Sequence, residues 1–221
     1  MNLVKPSFEI LTIMAYDEFD DPTGPLRMIE EAGRTCYKSE SDLTPDTAKK
    51  FVQKLNKLGH LSVIEHSAMT VKFIIDRGVS HELVRHRLCA FSQESTRYCN
   101  YKGGVTFIIP PWLSDEHDRI GSIDIDTPPD PAYVTWVMSM EDAERSYLNL
   151  LSNNWSPQQA RSVLPNSTKT EIVVTANFRE WQHIFKLRCS KAAHPQMREI
   201  MIPLHQECNR ILPEIFDCIE Y

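Results

Sequence analysis

Glycine is scarce in this chain of 221 residues, which has only seven, and none of them follows Gly121. Neither of the two common glycine-rich phosphate loops, G-x-G-x-x-G and G-x-x-x-x-G-K-[ST], occurs in the sequence. In such loops the backbone N–H groups approach and hold the phosphates. We therefore expect that any nucleotide bound by this protein is held by side chains.

Cysteine pairs and long apolar runs are also missing. The six cysteines are scattered, with no C-x-x-C pair, which argues against a zinc knuckle and a thioredoxin-like redox pair. No run of about 18 apolar residues occurs, and the first residues, MNLVKPSFEI, lack the pattern of a secretory signal. The sequence thus predicts a cytoplasmic protein with reduced thiols and no membrane association.

Basic residues are outnumbered, because 24 Lys and Arg stand against 30 Asp and Glu, for a net charge of −6. An acidic chain has no general affinity for nucleic acid, so an anionic ligand needs a local basic site. Hydrophobic residues make up 42% of the chain, which suffices for a substantial core. With no repeat and no linker, the length predicts one domain over residues 1–221.

Strand and helix patterns are mixed along the chain. Strands are predicted over 7–16, 68–76, 105–110 and 171–178, and helices over 25–37, 45–58, 132–151, 180–188 and 196–218. A short helix capped by Ser80 is predicted to carry the sequence HELVRHRLC. The polar stretch 114–130 is predicted to be a mobile loop. The fold class expected is α/β, or more narrowly α+β.

Four residues that are or can become cationic lie within one short stretch, namely Arg85, His86, Arg87 and Arg97. One interpretation is a solvated helix end, where cations complement the helix dipole. On a helix, however, Arg85 and Arg87 would lie about 200° apart, so at least one would point inward. An inward arginine needs an acidic partner or a bound anion, and residues 92–96 add hydroxyl and amide groups suited to a nucleotide.

The histidines near this motif do not have the spacing of a metal site. His81-Glu82 resembles the start of H-E-x-x-H, but the next histidine is His86, one residue too late. Five helical residues rotate the second ring by about 140°, so the two rings cannot share one zinc ion. His60 and His66 could be ligands, although packing is the more common role of lone histidines. We expect no metal.

The run Arg85-His86-Arg87, seven further residues and Ser95, followed by Arg97, resembles the signature motif of the flavin-dependent thymidylate synthases. The resemblance extends upstream to segments 33–37 and 59–66, and downstream to 160–165, 175–179, 187–188 and 193–194. Because these matches occur in the family's order, coincidence is a poor explanation. Ser95 lacks a G-x-S-x-G elbow and is interpreted as a ligand-binding hydroxyl, not as a nucleophile.

The resemblance implies a reductive methylation of dUMP to dTMP. The methylene would come from 5,10-methylenetetrahydrofolate and the hydride from reduced FAD, and NADPH would regenerate the flavin. The architecture implied is a mostly antiparallel central sheet flanked by helices, assembled into a homotetramer whose active sites are shared between subunits. The Pro-Cys pair of classical thymidylate synthase is absent from this sequence, which fits a route without an enzyme nucleophile.

The resemblance also assigns residues. Arg188 is the predicted catalytic residue, because a fixed guanidinium beside the uracil would stabilise its N3-deprotonated form and raise the electron density at C5. His60 would lie near the flavin ring and orient the folate or the nicotinamide. The residues predicted to contact FAD are Ser62, Arg85, His86, Arg87, Gln93, Asn177, Phe178, Arg179 and His183. The residues predicted to bind dUMP are Glu82, Arg85, Gln93, Glu94, Ser95, Thr96, Arg97, Arg161 and Arg188.

Two residues depart from the most familiar family pattern, since Gln93 stands where many members have glutamate and His183 where some have asparagine. Both side chains still form hydrogen bonds, so they put individual contacts in question more than the activity. Two alternative functions stay open: a flavoprotein of this fold that acts on another nucleotide, and a nucleic-acid-binding module, against which the acidic composition argues. For Arg188, the alternative is a surface cation at a helix C-terminus.

Overall fold

The computed structural model describes residues 1–17, 21–39, 44–121 and 128–221, in which helices and strands are mixed. The strands are β1 (Asn2–Val4), β2 (Ser7–Ile13), β3 (Ala68–Asp76), β4 (Ala90–Gln93), β5 (Thr106–Ile108) and β6 (Lys169–Asn177). The α-helices are α1 (Gly24–Tyr37), α2 (Pro45–Lys57), α3 (Arg77–Leu83), α4 (Pro111–Gly121), α5 (Pro131–Ser152), α6 (Pro157–Ala160), α7 (Phe178–Arg188), α8 (Pro195–Ile211) and α9 (Pro213–Phe216). Short 3₁₀ helices cover Val63–His66 and Arg161–Val163. The predicted mixed α/β class is confirmed.

A four-stranded sheet has the strand order β2-β3-β6-β4. Backbone hydrogen bonds make β3 and β6 antiparallel: Arg77 N, just after β3, donates to Thr168 O, just before β6, and Phe178 N donates to Ser67 O. Buried residues alternate along both strands, as the two-residue period of a sheet with one inward face requires. The antiparallel sheet that the resemblance implied is therefore present.

The chain forms two compact units. The first unit comprises Met1–Ser7, Phe73–Arg85 and Ser92–Ile172, and the second comprises Phe8–Lys72, His86–Phe91 and Val173–Tyr221. Strands β3 and β6 contribute residues to both units. The organisation as one domain over residues 1–221 remains a prediction.

The first unit has its own apolar core around β5 and α5. Strand β1 pairs with β5 in parallel, with Leu3 opposite Phe107. The Phe107 side chain is fully buried and clusters with Met140 and Tyr147 of α5. Burial of such side chains stabilises the fold by about 1.5–3 kcal/mol each before entropy costs. This unit contains the predicted substrate residues Glu82, Arg85, 93–97 and Arg161.

The second unit is held by aromatic packing on α7. Phe178, Trp181 and Phe185 recur at helical spacing and are fully buried. The Phe216 ring of α9 packs edge-to-face on Phe178 and Phe185, with centroids 5.6 and 5.8 Å apart. This packing fixes the helix that ends at Arg188.

Helix α3 differs from its prediction at both ends. Its N-cap is Asp76, whose Oδ1 accepts a hydrogen bond from Val79 N at 2.7 Å, and not Ser80. The helix ends at Leu83, where Val84 N–H closes the last turn on Ser80 O. The prediction that residues 85–87 are helical is therefore wrong, and so is the argument that helical geometry turns one of their arginines inward.

The predicted loop 114–130 is wrong for residues 114–121, which belong to α4. Its charges form a solvated helical face on which Glu116 pairs with Arg119 at 2.6 Å, one turn away. Residues 122–127 lie outside the described residues. Asp130 caps α5 by accepting from Ala132 N at 2.7 Å. Over the described ranges, no helix combines the length and apolar character needed to span a membrane.

Candidate active site

The basic run follows α3 in an irregular turn. Arg85 and Arg87 are exposed, while His86 between them is only 5% exposed. Within the described residues, neither Arg85 nor Arg87 has a side-chain hydrogen bond or an ion pair. The buried member of the run is thus the histidine, and both arginines are exposed.

In the second unit, His86 links two residues of α7. Arg188 Nε donates to His86 Nε2 at 2.9 Å, and Glu180 Oε1 lies 3.5 Å from His86 Nδ1. Burial, helped by the charges of Arg188 and His183, lowers the pKa of His86 from 6.5 to about 4. At neutral pH the ring is therefore neutral, with its hydrogen on Nδ1 toward Glu180 and its Nε2 accepting from Arg188.

This arrangement gives Arg188 a defined place. Glu180 is buried at the first turn of α7, and Asn177, the N-cap, accepts from its backbone N at 2.9 Å. Burial raises the pKa of the Glu180 carboxyl, an effect that the charge of His183 opposes. The contacts of His86 with Glu180 on one side and with Arg188 on the other form the line Glu180–His86–Arg188, which fixes the position of Arg188 Nε. Sequence analysis missed Glu180, although its position three residues after an N-cap asparagine was visible.

Acid is expected to weaken the fold through His86. Its pKa is about 4 in the folded protein against 6.5 for an ordinary histidine. As the pH falls, the unfolded chain takes up the proton first, so the contribution of neutral His86 is complete above pH 6.5 and is lost toward pH 4. Between pH 7 and about pH 4.5 we expect a loss on the order of 2 kcal/mol in unfolding free energy. Urea unfolding of the wild type and of His86→Gln measures it, and equal losses in the two proteins would contradict the assignment.

The same cluster raises the question of a metal ion. Ligand atoms of His86, Glu180 and His183 lie within 4.8 Å of one another. However, His86 Nε2 already accepts from the Arg188 guanidinium, and a cation there would face that positive charge. Its Nδ1 carries the hydrogen, so it offers no lone pair. The geometry fits a hydrogen-bonded line better than a metal centre.

A cavity of about 540 Å³ in the second unit collects several residues predicted to contact FAD. It is lined by Glu65, Leu88, Asn177, Arg179, Glu180 and His183. Arg179 Nη1 pairs with Glu65 Oε1 at 2.5 Å, and both remain substantially exposed. The His183 ring lies edge-on to His86, with centroids 5.8 Å apart. The cavity thus offers cationic and hydrogen-bonding groups without a glycine-rich loop.

Three further predicted residues of this unit lie elsewhere. Ser62 and His60 are exposed, and Ser62 precedes the 3₁₀ helix Val63–His66 without capping it. Phe178 is fully buried in the aromatic core, so its ring is unavailable to a cofactor and only its backbone could contact one. Another cavity of the unit, about 830 Å³ beside β2 and α8, contains none of the predicted residues.

In the first unit, residues 93–97 meet the segment after α6. Arg161 Nη1 donates to Thr96 Oγ1 at 3.1 Å, and both line a cavity of about 490 Å³ with Arg77 and His81. Ser95 Oγ accepts from Arg97 N at 3.3 Å, and the exposed Arg97 guanidinium lies over the Tyr98 ring. No acidic side chain lines this cavity, which therefore suits an anion.

Glu94 and Glu82, both predicted to bind dUMP, lie in different surroundings. Both carboxylate oxygens of Glu94 are engaged: Oε1 accepts from Tyr101 OH at 2.8 Å, and Oε2 accepts from Lys169 Nζ and Glu171 N, each at 3.2 Å. These contacts tie Glu94 to β6, and its contact with dUMP stays a prediction. Glu82, in the last turn of α3, is half-buried.

A comparison with family models matches most of this chain. Residues 19–214 match the family model described as "Thymidylate synthase complementing protein". A protein of Mycobacteroides abscessus named flavin-dependent thymidylate synthase is 34% identical over 203 residues, covering 89% of this chain and 80% of that protein. The chain belongs to the flavin-dependent thymidylate synthases. A relative of the same name from Mycobacterium tuberculosis is 33% identical over an equal span.

A solved structure supports the fold of this flavin-dependent thymidylate synthase family member. The UMP/dUMP methylase PolB from Streptomyces cacaoi, bound with 5-Br dUMP, superposes with a TM-score of 0.75. The match covers 98% of this chain and 96% of PolB at 20% sequence identity. At that identity the likeness shows a shared fold.

Proposed function

We propose that this protein forms dTMP from dUMP by reductive methylation, with FAD as cofactor and with 5,10-methylenetetrahydrofolate and NADPH as co-substrates. The observation that carries the proposal is the line Glu180–His86–Arg188, which holds a guanidinium on a neutral histidine. The family membership supports the flavin and the reaction class. The cytoplasmic location stays a prediction.

The residues fit FAD as a ligand. Its pyrophosphate carries two negative charges, and Arg85 and Arg87 are exposed cations without side-chain partners in the described part of the chain. Arg179 and His183 line the cavity of the second unit and add donors. When bound and reduced, the flavin supplies the hydride that completes the methyl group.

Arg188 acts on the base of dUMP in this proposal. Its guanidinium stabilises negative charge as the uracil loses the proton at N3, which raises the electron density at C5. C5 then forms a bond to the methylene carbon of the folate, and the bond from that carbon to the folate nitrogen breaks, with its electron pair staying on the nitrogen. The C5 hydrogen leaves as a proton, and N3 takes up a proton again. Burial raises the pKa of the Cys89 and Cys189 thiols to about 12, so neither is a thiolate at neutral pH. This supports a route without a cysteine nucleophile.

We also propose the homotetramer that the resemblance implies. Arg85 and Arg87 support it, since they are exposed and have no side-chain partner among the described residues, and such groups can complete a site on another subunit. Ser95, Thr96, Arg97 and Arg161 would hold the nucleotide of dUMP, because hydroxyl and guanidinium groups suit its phosphate.

The function is tested first by the visible absorption spectrum of the protein and then by formation of dTMP. The purified protein is incubated with excess FAD and desalted, and its visible spectrum should keep the two bands of oxidised flavin. Adding dUMP, methylenetetrahydrofolate and NADPH should then yield dTMP by mass spectrometry, with UMP as the control acceptor. A folded but colourless protein would contradict the flavin mechanism, and methylation of UMP alone would favour the other nucleotide.

A further inference from the structure

Gln93, predicted to bind both FAD and dUMP, is held by two residues of the first unit that the sequence did not assign to the site. Its Nε2 donates to Ser80 Oγ at 2.9 Å and to Thr170 Oγ1 at 3.2 Å. Both hydroxyl residues are fully buried, at 0% exposure, whereas Gln93 is half-buried at the end of β4. The two hydrogens of the amide thus point into the protein.

The hydrogen bonds of Ser80 decide which end of the amide points inward. A serine hydroxyl has one hydrogen, and Ser80 Oγ donates it to Arg77 O at 3.0 Å, a carbonyl that can only accept. Ser80 Oγ therefore has only lone pairs left for Gln93 and must face its NH₂ group. Thr170 Oγ1 accepts from Arg77 Nη1 at 3.4 Å as well, so it too offers lone pairs to incoming donors.

The opposite end of the amide is the part that remains available. Gln93 Oε1 forms no hydrogen bond in the described part of the chain and is not among its buried unpaired oxygens. We propose that Ser80 and Thr170 are positioning residues that fix Gln93 so that it presents only its carbonyl oxygen, an acceptor, to the nucleotide. The proposal rests on the proposed function, because the ligand group it receives is an N–H or O–H donor of dUMP.

This arrangement accounts for glutamine where many family members have glutamate. A locked carboxamide offers an acceptor in the same place as a carboxylate oxygen, but without a negative charge. The neighbouring Glu94 already carries a carboxylate, and the nucleotide brings a phosphate. A neutral acceptor therefore recognises a ligand hydrogen without adding to the repulsion.

The test is a double-mutant cycle on the full chain loaded with FAD. The dUMP dissociation constant is measured by calorimetry for the wild type, Ser80→Ala, Gln93→Met and the double variant. Freed from Ser80, the amide can turn its NH₂ outward, so Ser80→Ala should weaken binding roughly 5- to 10-fold. Gln93→Met should weaken it at least as much, and the double variant should be no weaker than Gln93→Met. Ser80→Thr, which keeps the hydroxyl, should restore most of the affinity.

Ser139→Ala is the matched control. Ser139 Oγ also donates to a backbone carbonyl of its own helix, Thr135 O at 2.8 Å, but it lies exposed on α5 and receives no amide. Its removal should leave dUMP binding unchanged. If Ser80→Ala fails to fold, Thr170→Val takes its place in the double-mutant cycle.

The possible failures are distinguishable. If wild-type protein loaded with FAD does not bind dUMP, the proposed function and the role of Gln93 both fall. If the wild type binds dUMP but Ser80→Ala leaves the dissociation constant unchanged, only the positioning role is overturned. The same holds if Ser80→Ala weakens dUMP binding equally in the wild type and in the Gln93→Met background. In the latter case Ser80 supports the fold and not the amide.

Discussion

Arg188→Ala is expected to lower dTMP formation by at least about 100-fold, the usual cost of losing a group that stabilises developing charge. The retained FAD should be the same as in the wild type. The reason lies in the contact with His86: Arg188 Nε is anchored at 2.9 Å on a neutral imidazole, which fixes the orientation in which the guanidinium would meet the activated base. Single-turnover formation of dTMP, measured at saturating dUMP, separates this effect from binding.

Lys186→Ala is the matched control for Arg188→Ala. Lys186 is an exposed cation in the same last turn of α7, so its removal changes the helix-end charge equally. It should leave turnover within about 2-fold, since exposed cations at helix ends contribute little. If both variants lose activity equally, Arg188 acts as a general surface cation. Full turnover by Arg188→Ala would remove its catalytic role.

The sheet and the last helices could be predicted because their patterns are local. Strand β6 alternates without a break from Lys169 to Asn177, and the buried face of α7 repeats at helical spacing. Helix α3 was predicted to run too far because residues 81–89 have no helix breaker. The helix begins earlier than predicted, at Arg77 after the N-cap Asp76, and its seven residues leave residues 85–87 outside.

The polar stretch 114–121 was mistaken for a loop for a different reason. Composition predicted solvent exposure, and the residues are largely exposed, but on one face of a helix. The other face is anchored by Leu113, which is buried beside Tyr133 of α5. His117 Nδ1 also lies 2.9 Å from the Tyr133 hydroxyl. These contacts join residues of two successive helices, α4 and α5, and the charges of residues 114–121 alone do not predict them.

At the candidate site, too, some residues could be predicted from the sequence and others could not. The signature motif named the residues, but it could not identify Glu180 behind His86, or Ser80 and Thr170 behind Gln93. Those partners are distant in sequence and carry no motif of their own. The contact of Glu94 with the substrate stays a prediction, and its carboxylate already accepts from Tyr101, Lys169 and a backbone N–H. Sequence thus predicts the segments of a candidate site, but not the contacts between their side chains.

Arg87→Ala is expected to raise the dissociation constant for FAD by roughly 10- to 100-fold, the loss typical of a charge-assisted hydrogen bond. Arg87 is exposed beside buried His86, and its guanidinium has no side-chain partner in the described residues. Its removal therefore breaks no side-chain hydrogen bond or ion pair with the described residues, and a loss of affinity reports on the ligand. Fluorescence titration of the apoprotein with FAD measures the change.

Arg145→Ala controls for the loss of one positive charge. Arg145 is an exposed arginine of α5 that pairs with Asp142, and it is far in sequence from the basic run. Its replacement should leave the affinity for FAD unchanged. Arg87→Lys should lie between wild type and Arg87→Ala, because lysine keeps the charge but not the fork that binds two phosphate oxygens. Equal affinity of Arg87→Ala and the wild type would mean that the pyrophosphate is held elsewhere, and Arg85 would then be the next cation to replace.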